Sequence, residues 1–148
     1  MKKRIVLLTT LAAVLVAAMA LSGVAQAAPI GGKADAQCAK VAIKTLGPSV
    51  NPSNYTFIGG TEGNDGFTEL ATDNPQVFCG FGGDDDTQNL AGDDIFLGGA
   101  GTDGVGLNEG TFYGEAGNDL VGINRGTFFG GAGDDHVNTD QGGIFIQD

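Results

Sequence analysis

The sequence has no tryptophan, a single histidine, two cysteines and four prolines, and it is poor in cations. Seven lysine and arginine residues stand against 18 aspartate and glutamate residues in a chain of 148, giving a formal net charge of −11. An acidic field of this strength repels phosphate, so nucleic acid is excluded as a partner and a cation is favoured. His136 has no serine or cysteine nucleophile placed to use it, so we predict that the protein is not an enzyme.

Glycine, by contrast, is abundant, with 27 residues. A helical glycine costs ~1 kcal/mol relative to alanine, which argues against a helical bundle. No Gly-X-Y triplet repeat supports collagen. The length favours one domain, in which some other regular structure requires glycine.

Residues 1–27 have the composition of a Sec-type signal peptide. Three cations at Lys2–Arg4 precede an apolar stretch over Ile5–Leu21, and the small-residue triplet Ala25–Ala27 follows. We expect cleavage before Ala28 and a secreted protein, extracellular or in the cell envelope, without membrane contact after cleavage. The alternative is a membrane anchor, because the apolar stretch approaches spanning length.

Cys38 and Cys79 both follow this leader, and oxidising conditions outside the cytoplasm favour their pairing in a disulfide. Two free thiols are the alternative, while two cysteines alone do not make a zinc site. We interpret residues 28–36 as a linker and residues 37–56 as an N-terminal cap that covers the first unit of the following repeat.

A repeat organises residues 57–148. Its five openings share the pattern Gly-x-x-Gly-x-Asp and begin at Gly60, Gly80, Gly98, Gly114 and Gly130. The last three are spaced by 16 residues. Such a period predicts a solenoid of five stacked turns.

Short apolar runs alternate with the loops of each coil, and alternation predicts that Val105, Leu107 and Phe112 point inward. Stacking then aligns Val105 with Val121 and Leu107 with Ile123. One phenylalanine per coil forms a ladder, composed of Phe78, Phe96, Phe112, Phe128 and Phe145. Thr87 takes an inward position in the second coil and weakens the core there.

The sixth position of each opening is an aspartate. These residues are Asp65, Asp85, Asp103, Asp119 and Asp135. Stacked at about 4.8 Å, neighbouring carboxylates repel by roughly 1 kcal/mol at the dielectric of water and by ~3 to 4 at an effective value of 20. The file of charges opposes folding unless a cation neutralises it. Oxygen ligands without histidine or cysteine select a hard cation, so we predict Ca²⁺ between successive loops.

Glycine at the fourth position of each opening can adopt positive φ and turn backbone carbonyls toward such an ion. These glycines are Gly63, Gly83, Gly101, Gly117 and Gly133.

The openings and the segments that follow them resemble the nonapeptide Gly-Gly-x-Gly-x-Asp-x-apolar-x of the RTX, or haemolysin-type, calcium-binding repeats. The resemblance covers residues 57–148 and implies an all-β fold, a parallel β-roll (right-handed β-solenoid) of about five coils. In such a roll the aspartates and glycine-rich carbonyls hold calcium. It adds the fifth-position residues as candidate ligands, namely Asn64, Asp84, Asn118 and Asp134.

The chain departs from the family pattern in three ways. On the second side of the roll only Asp94 keeps a sixth-position acid, so we expect ions along one edge. Thr102 replaces a fifth-position oxygen ligand in the third coil. The Sec-type leader argues against export through a dedicated C-terminal signal.

Two functions remain open from the sequence. The first is a secreted calcium-binding β-roll whose folding is coupled to the metal. The second is a metal-independent structural or adhesion solenoid with a merely solvated acidic face. The strand expected over residues 144–146 leaves an edge that permits weak self-association.

Overall fold

The computed structural model describes residues 25–26, 32–47, 51–70 and 74–148. In chain order the strands are β1 (Ala25–Gln26), β2 (Thr56–Gly59), β3 (Asp65–Phe67), β4 (Gln76–Gly82), β5 (Asp86–Leu90), β6 (Ile95–Ala100), β7 (Gly104–Asn108), β8 (Thr111–Ala116), β9 (Leu120–Asn124), β10 (Thr127–Ala132), β11 (His136–Asp140) and β12 (Ile144–Ile146). One α-helix, α1 (Lys33–Leu46), and a 3₁₀ turn at Pro52–Asn54 precede β2.

The strands form two sheets, each made of parallel strands, and consecutive strands along the chain alternate between the two sheets. The first sheet has the order β1-β3-β5-β7-β9-β11, and the second has the order β12-β10-β8-β6-β4-β2. Each strand therefore pairs with its equivalent one coil away, and the predicted all-β parallel solenoid of about five coils is confirmed.

The phenylalanine ladder fills the space between the sheets. The predicted register is confirmed, since Phe78, Phe96, Phe112, Phe128 and Phe145 are aligned in successive strands. The ring centroids of Phe112 and Phe128 lie 4.8 Å apart, and the two ring planes are nearly parallel. Thr87 is buried beside this ladder as expected, and its hydroxyl donates a 2.9 Å hydrogen bond to the Asn89 carbonyl.

The inward direction predicted for Leu107 is wrong. Leu107 and Ile123 are aligned, but they are only partly buried and lie outside the core cluster. The next residues, Asn108 and Asn124, are fully buried instead. The Asn108 amide donates to Asn124 Oδ1 at 2.8 Å, so a buried corner ladder replaces strict alternation.

Helix α1 covers the start of the second sheet. It begins at Lys33, inside the range interpreted as a linker, because Gly32 caps it and the Asp35 carboxylate accepts the Gly32 amide at 3.1 Å. Asp35 Oδ1 also accepts the Gly59 amide of β2 at 2.9 Å. The predicted disulfide between Cys38 and Cys79 is confirmed and joins α1 to β4.

The predicted leader lies outside the described residues except for β1, whose backbone pairs with β3. Within the described ranges, no helix combines the length and apolar character that crossing a bilayer requires.

Candidate functional site

The glycine-rich loops all lie at one edge of the solenoid, where each strand of the second sheet is followed by a strand of the first. The sequence pattern thus places the five sixth-position aspartates in one file, and the structure brings them together. All five side chains are buried, four of them at 1% exposure and Asp135 at 8%. We call this file the aspartate ladder.

Four of the five ladder carboxylates, all except Asp65, accept a backbone hydrogen bond from the aspartate of the preceding coil. Asp85 Oδ1 accepts the Asp65 amide at 2.7 Å, and Asp103 Oδ1 accepts the Asp85 amide at 2.9 Å. Asp119 and Asp135 repeat the contact at 2.8 and 2.9 Å. These carboxylates therefore connect successive coils through Oδ1.

The second oxygen of the inner carboxylates has no partner. Oδ2 of Asp85, Asp103 and Asp119 is buried without a hydrogen bond, as is Oδ1 of Asp65. An unsatisfied buried oxygen costs about 1 to 3 kcal/mol, and more when it carries charge. At the two ends a neighbour intervenes: the Thr61 amide donates to Asp65 Oδ2, and the Gln147 side chain donates to Asp135 Oδ2 at 3.3 Å.

The first glycine of each opening makes room for this second oxygen, a role that the sequence analysis missed. A methyl group on Gly98 would overlap Asp103 Oδ2, and one on Gly114 would overlap Asp119 Oδ2. A detectable signal was present in the sequence, because glycine always stands five residues before the ladder aspartate.

The fourth-position glycines adopt the predicted backbone conformation in four coils. Their φ values are 103° for Gly83, 138° for Gly101, 146° for Gly117 and 141° for Gly133. Gly63 in the first coil is the exception, because its φ lies outside the left-handed region. Close backbone approach also excludes larger residues, since a Cβ on Gly117 would overlap the Gly101 carbonyl.

The fifth-position residues form a second, exposed row of contacts in the opposite direction. Asn64 Oδ1 accepts the Asp84 amide, and Asp84 Oδ1 accepts the Thr102 amide, both at 2.9 Å. Asn118 Oδ1 accepts the Asp134 amide at 2.9 Å. These side chains lie at the same edge as the ladder, and those of Asn64, Asp84 and Asn118 already have a backbone partner.

Burial raises the pKa of the inner ladder carboxyls. Desolvation is the largest cause, and neighbouring carboxylates add to it, while the backbone hydrogen bond opposes it. The pKa rises to about 6 for Asp85, about 7 for Asp103 and about 6 for Asp119. In the absence of a cation, these groups titrate near neutral pH.

At the opposite edge of the solenoid, asparagine side-chain amides form hydrogen bonds between coils. The Asn124 side chain donates to the Ile144 carbonyl at 3.2 Å, continuing the corner ladder that begins at Asn108. Asp94 is the acid that keeps the sixth position of the repeat on this side, and its Oδ1 accepts the backbone amide of Gln76 at 2.7 Å.

No three histidine, cysteine, aspartate or glutamate side chains converge on one point in the part of the chain that the structure describes. No family model, curated protein or solved structure matches the chain.

Proposed function

We propose that the protein is a secreted, non-catalytic calcium-binding β-roll of the RTX type, in which Ca²⁺ at the aspartate ladder is coupled to folding. The observation that carries the proposal is the row of buried, unpartnered carboxylate oxygens on Asp85, Asp103 and Asp119. Each is a strong ligand that the protein leaves unsatisfied in its interior.

The chemistry of the surrounding groups fits calcium. Calcium takes six to eight oxygen ligands in flexible geometry, including backbone carbonyls. We propose that the other ligands are carbonyls of the left-handed glycine loops, such as those at Gly101 and Gly117. A divalent ion there would neutralise ladder charges, so its binding free energy would add to the free energy of folding.

A metal-independent structural solenoid is the second candidate, and one observation favours it. Each inner ladder carboxylate already accepts a backbone amide, and the stacked phenylalanines and the disulfide stabilise the fold without an ion. In that case the ladder carboxyls would be satisfied by protonation, as their raised pKa values permit.

The test is a calcium titration of the chelated, oxidised protein followed by far-UV circular dichroism, with magnesium as the comparison ion. We expect a cooperative gain of β signal with calcium and a much weaker one with magnesium. Asp103→Asn should raise the calcium midpoint about three- to tenfold, because it removes a charge while its amide oxygen can still accept the Asp85 amide.

Asp86→Asn is the matched control, since Asp86 is adjacent in sequence to the ladder residue Asp85 but exposed. Its calcium midpoint should stay close to that of the wild type. A β spectrum that is complete in chelator and unchanged by calcium would favour the structural solenoid. Equal midpoints for Asp103→Asn and wild type would contradict the site.

A further inference from the structure

The two ends of the solenoid differ. At the C-terminal end, β11 pairs only with β9 and β12 only with β10, so each has one hydrogen-bonding edge without a strand among the described residues. At the other end, the Asp35 carboxylate accepts the Gly59 amide of β2, and α1 packs over that strand. Among the described strands of the second sheet, β12 is therefore the one whose outer edge is uncovered.

The open end is also apolar. Ile144, Phe145 and Ile146 are 57%, 39% and 41% exposed, and they are consecutive in β12. Phe145 is the last ring of the core ladder and stacks on Phe128 at 4.9 Å. The hydrophobic core thus reaches the surface at an unpaired strand edge, which natural proteins ordinarily cover or charge.

We infer that two copies of the chain associate through their C-terminal coils, end to end, about a twofold axis. The covered β2 edge excludes a head-to-tail stack of the second sheet, which leaves a closed pair of like ends. A twofold axis perpendicular to the solenoid makes the meeting strands antiparallel, so both edges can form regular hydrogen bonds. The same operation brings the terminal phenylalanines of the two core ladders together.

Charge makes this association weak at low salt. The last coil carries Asp134, Asp135, Asp140 and Asp148, and no lysine or arginine occurs after Arg125. Two such ends repel each other across the interface, and salt screens that repulsion. The inference does not depend on calcium binding, and salt alone should strengthen the pair.

The experiment is sedimentation velocity of the purified, oxidised protein over a wide range of concentration, in chelator, at low and high NaCl. We expect a concentration-dependent dimer that high salt promotes. Ile144→Lys places a charge on the edge strand at a highly exposed position, so it should spare the core and weaken the dimer at least about tenfold.

Leu120→Lys is the matched control, because Leu120 is 40% exposed but lies on β9, which has strand neighbours on both sides. It should dimerise like the wild type, and circular dichroism should show both variants folded. A wild type that stays monomeric at high concentration and high salt would overturn the inference. So would equal weakening by both substitutions, or no weakening by Ile144→Lys.

Spin labels test the orientation independently. A label at Thr139→Cys, on β11, should give a short intermolecular distance in the dimer, and a label at Ile43→Cys, on α1, a long one. A short distance from the α1 label, with a long one from the β11 label, would mean association through the other end and would refute the proposed interface.

Discussion

A carboxyl group buried in a protein needs a proton, a cation or a full set of hydrogen-bond donors. Asp103 has one donor, the Asp85 amide, and its second oxygen has none. Its pKa is raised to about 7, because desolvation makes the ionised form unfavourable and too few hydrogen-bond donors compensate for it. Protonation and the proposed calcium ion would therefore be alternative ways of satisfying one site, and they would have opposite dependences on pH.

The stability of the calcium-free protein should fall as pH rises. Asp85, Asp103 and Asp119 have folded-state pKa values of about 6, 7 and 6, above the ordinary value of 3.8. Their contribution is complete below about pH 4 and is lost as pH rises through 6 to 7. Urea unfolding in chelator should give a higher midpoint near pH 5 than near pH 8.

Two comparisons make that prediction specific. Saturating calcium should reduce or reverse the trend, because the ion favours the ionised ladder. Asp103→Asn should flatten it in chelator, because one of the titrating groups is gone. Equal wild-type midpoints at the two pH values in chelator would contradict the raised pKa values.

Gly98 should be intolerant of even the smallest side chain. Its φ is not left-handed, so the obstacle is space alone: a methyl group would overlap the Asp103 carboxylate. Gly98→Ala should lower the free energy of unfolding by about 1 to 3 kcal/mol, as overpacking does. Gly104→Ala is the control, because the nearest atom to its Cβ would be 3.9 Å away. Similar urea midpoints for the two variants would show that the space between Gly98 and the Asp103 carboxylate can expand to accept a methyl group.

At the scale of the element, the repeat made the pairing and register of the strands predictable from the sequence. The 16-residue period fixes which residues are neighbours in parallel strands, so the alignment of Phe112 with Phe128 followed directly. Side-chain direction was less certain, because alternation holds only within a straight strand. At the end of β7 the chain buries Asn108 in place of Leu107. Its Nδ2 donates to Asn124 Oδ1 and to the Thr127 carbonyl, whereas its own Oδ1 is buried without a partner among the described residues.

Helix α1 was missed for a different reason. The short apolar run from Val41 to Ile43 suggested a covering segment without indicating a helix, and Ile43 is in fact 39% exposed. The buried face consists of Asp35, Cys38 and Ala42, whose spacing of three and four residues is helical. One of these is acidic and another is small, so the apolar periodicity was weak. The aspartate is buried because it accepts backbone amides of Gly32 and Gly59.

At the scale of the whole molecule, α1 and the coils are stabilised by different means. Neighbouring coils are joined by backbone hydrogen bonds between parallel strands and by stacked phenylalanine rings. The helix instead packs on the outer face of the second sheet, against Val77, Cys79 and Leu97, and its covalent link is the disulfide. Loss of that link should therefore loosen the helix before the central coils, where β8 and β10 have neighbours on both sides.

The double substitution Cys38→Ser, Cys79→Ser tests this division. The bridge closes a loop with a sequence separation of 41 residues, so its loss should cost about 2 to 4 kcal/mol. Hydrogen exchange should accelerate in α1 and β2, with little change in β8 and β10 under native conditions. Ile43→Ser, at an exposed position of the same helix, should leave the exchange pattern unchanged. A uniform acceleration across all coils would instead mean that the solenoid and its helix open as one cooperative unit, because the ladders would then transmit the loss at α1 to every strand.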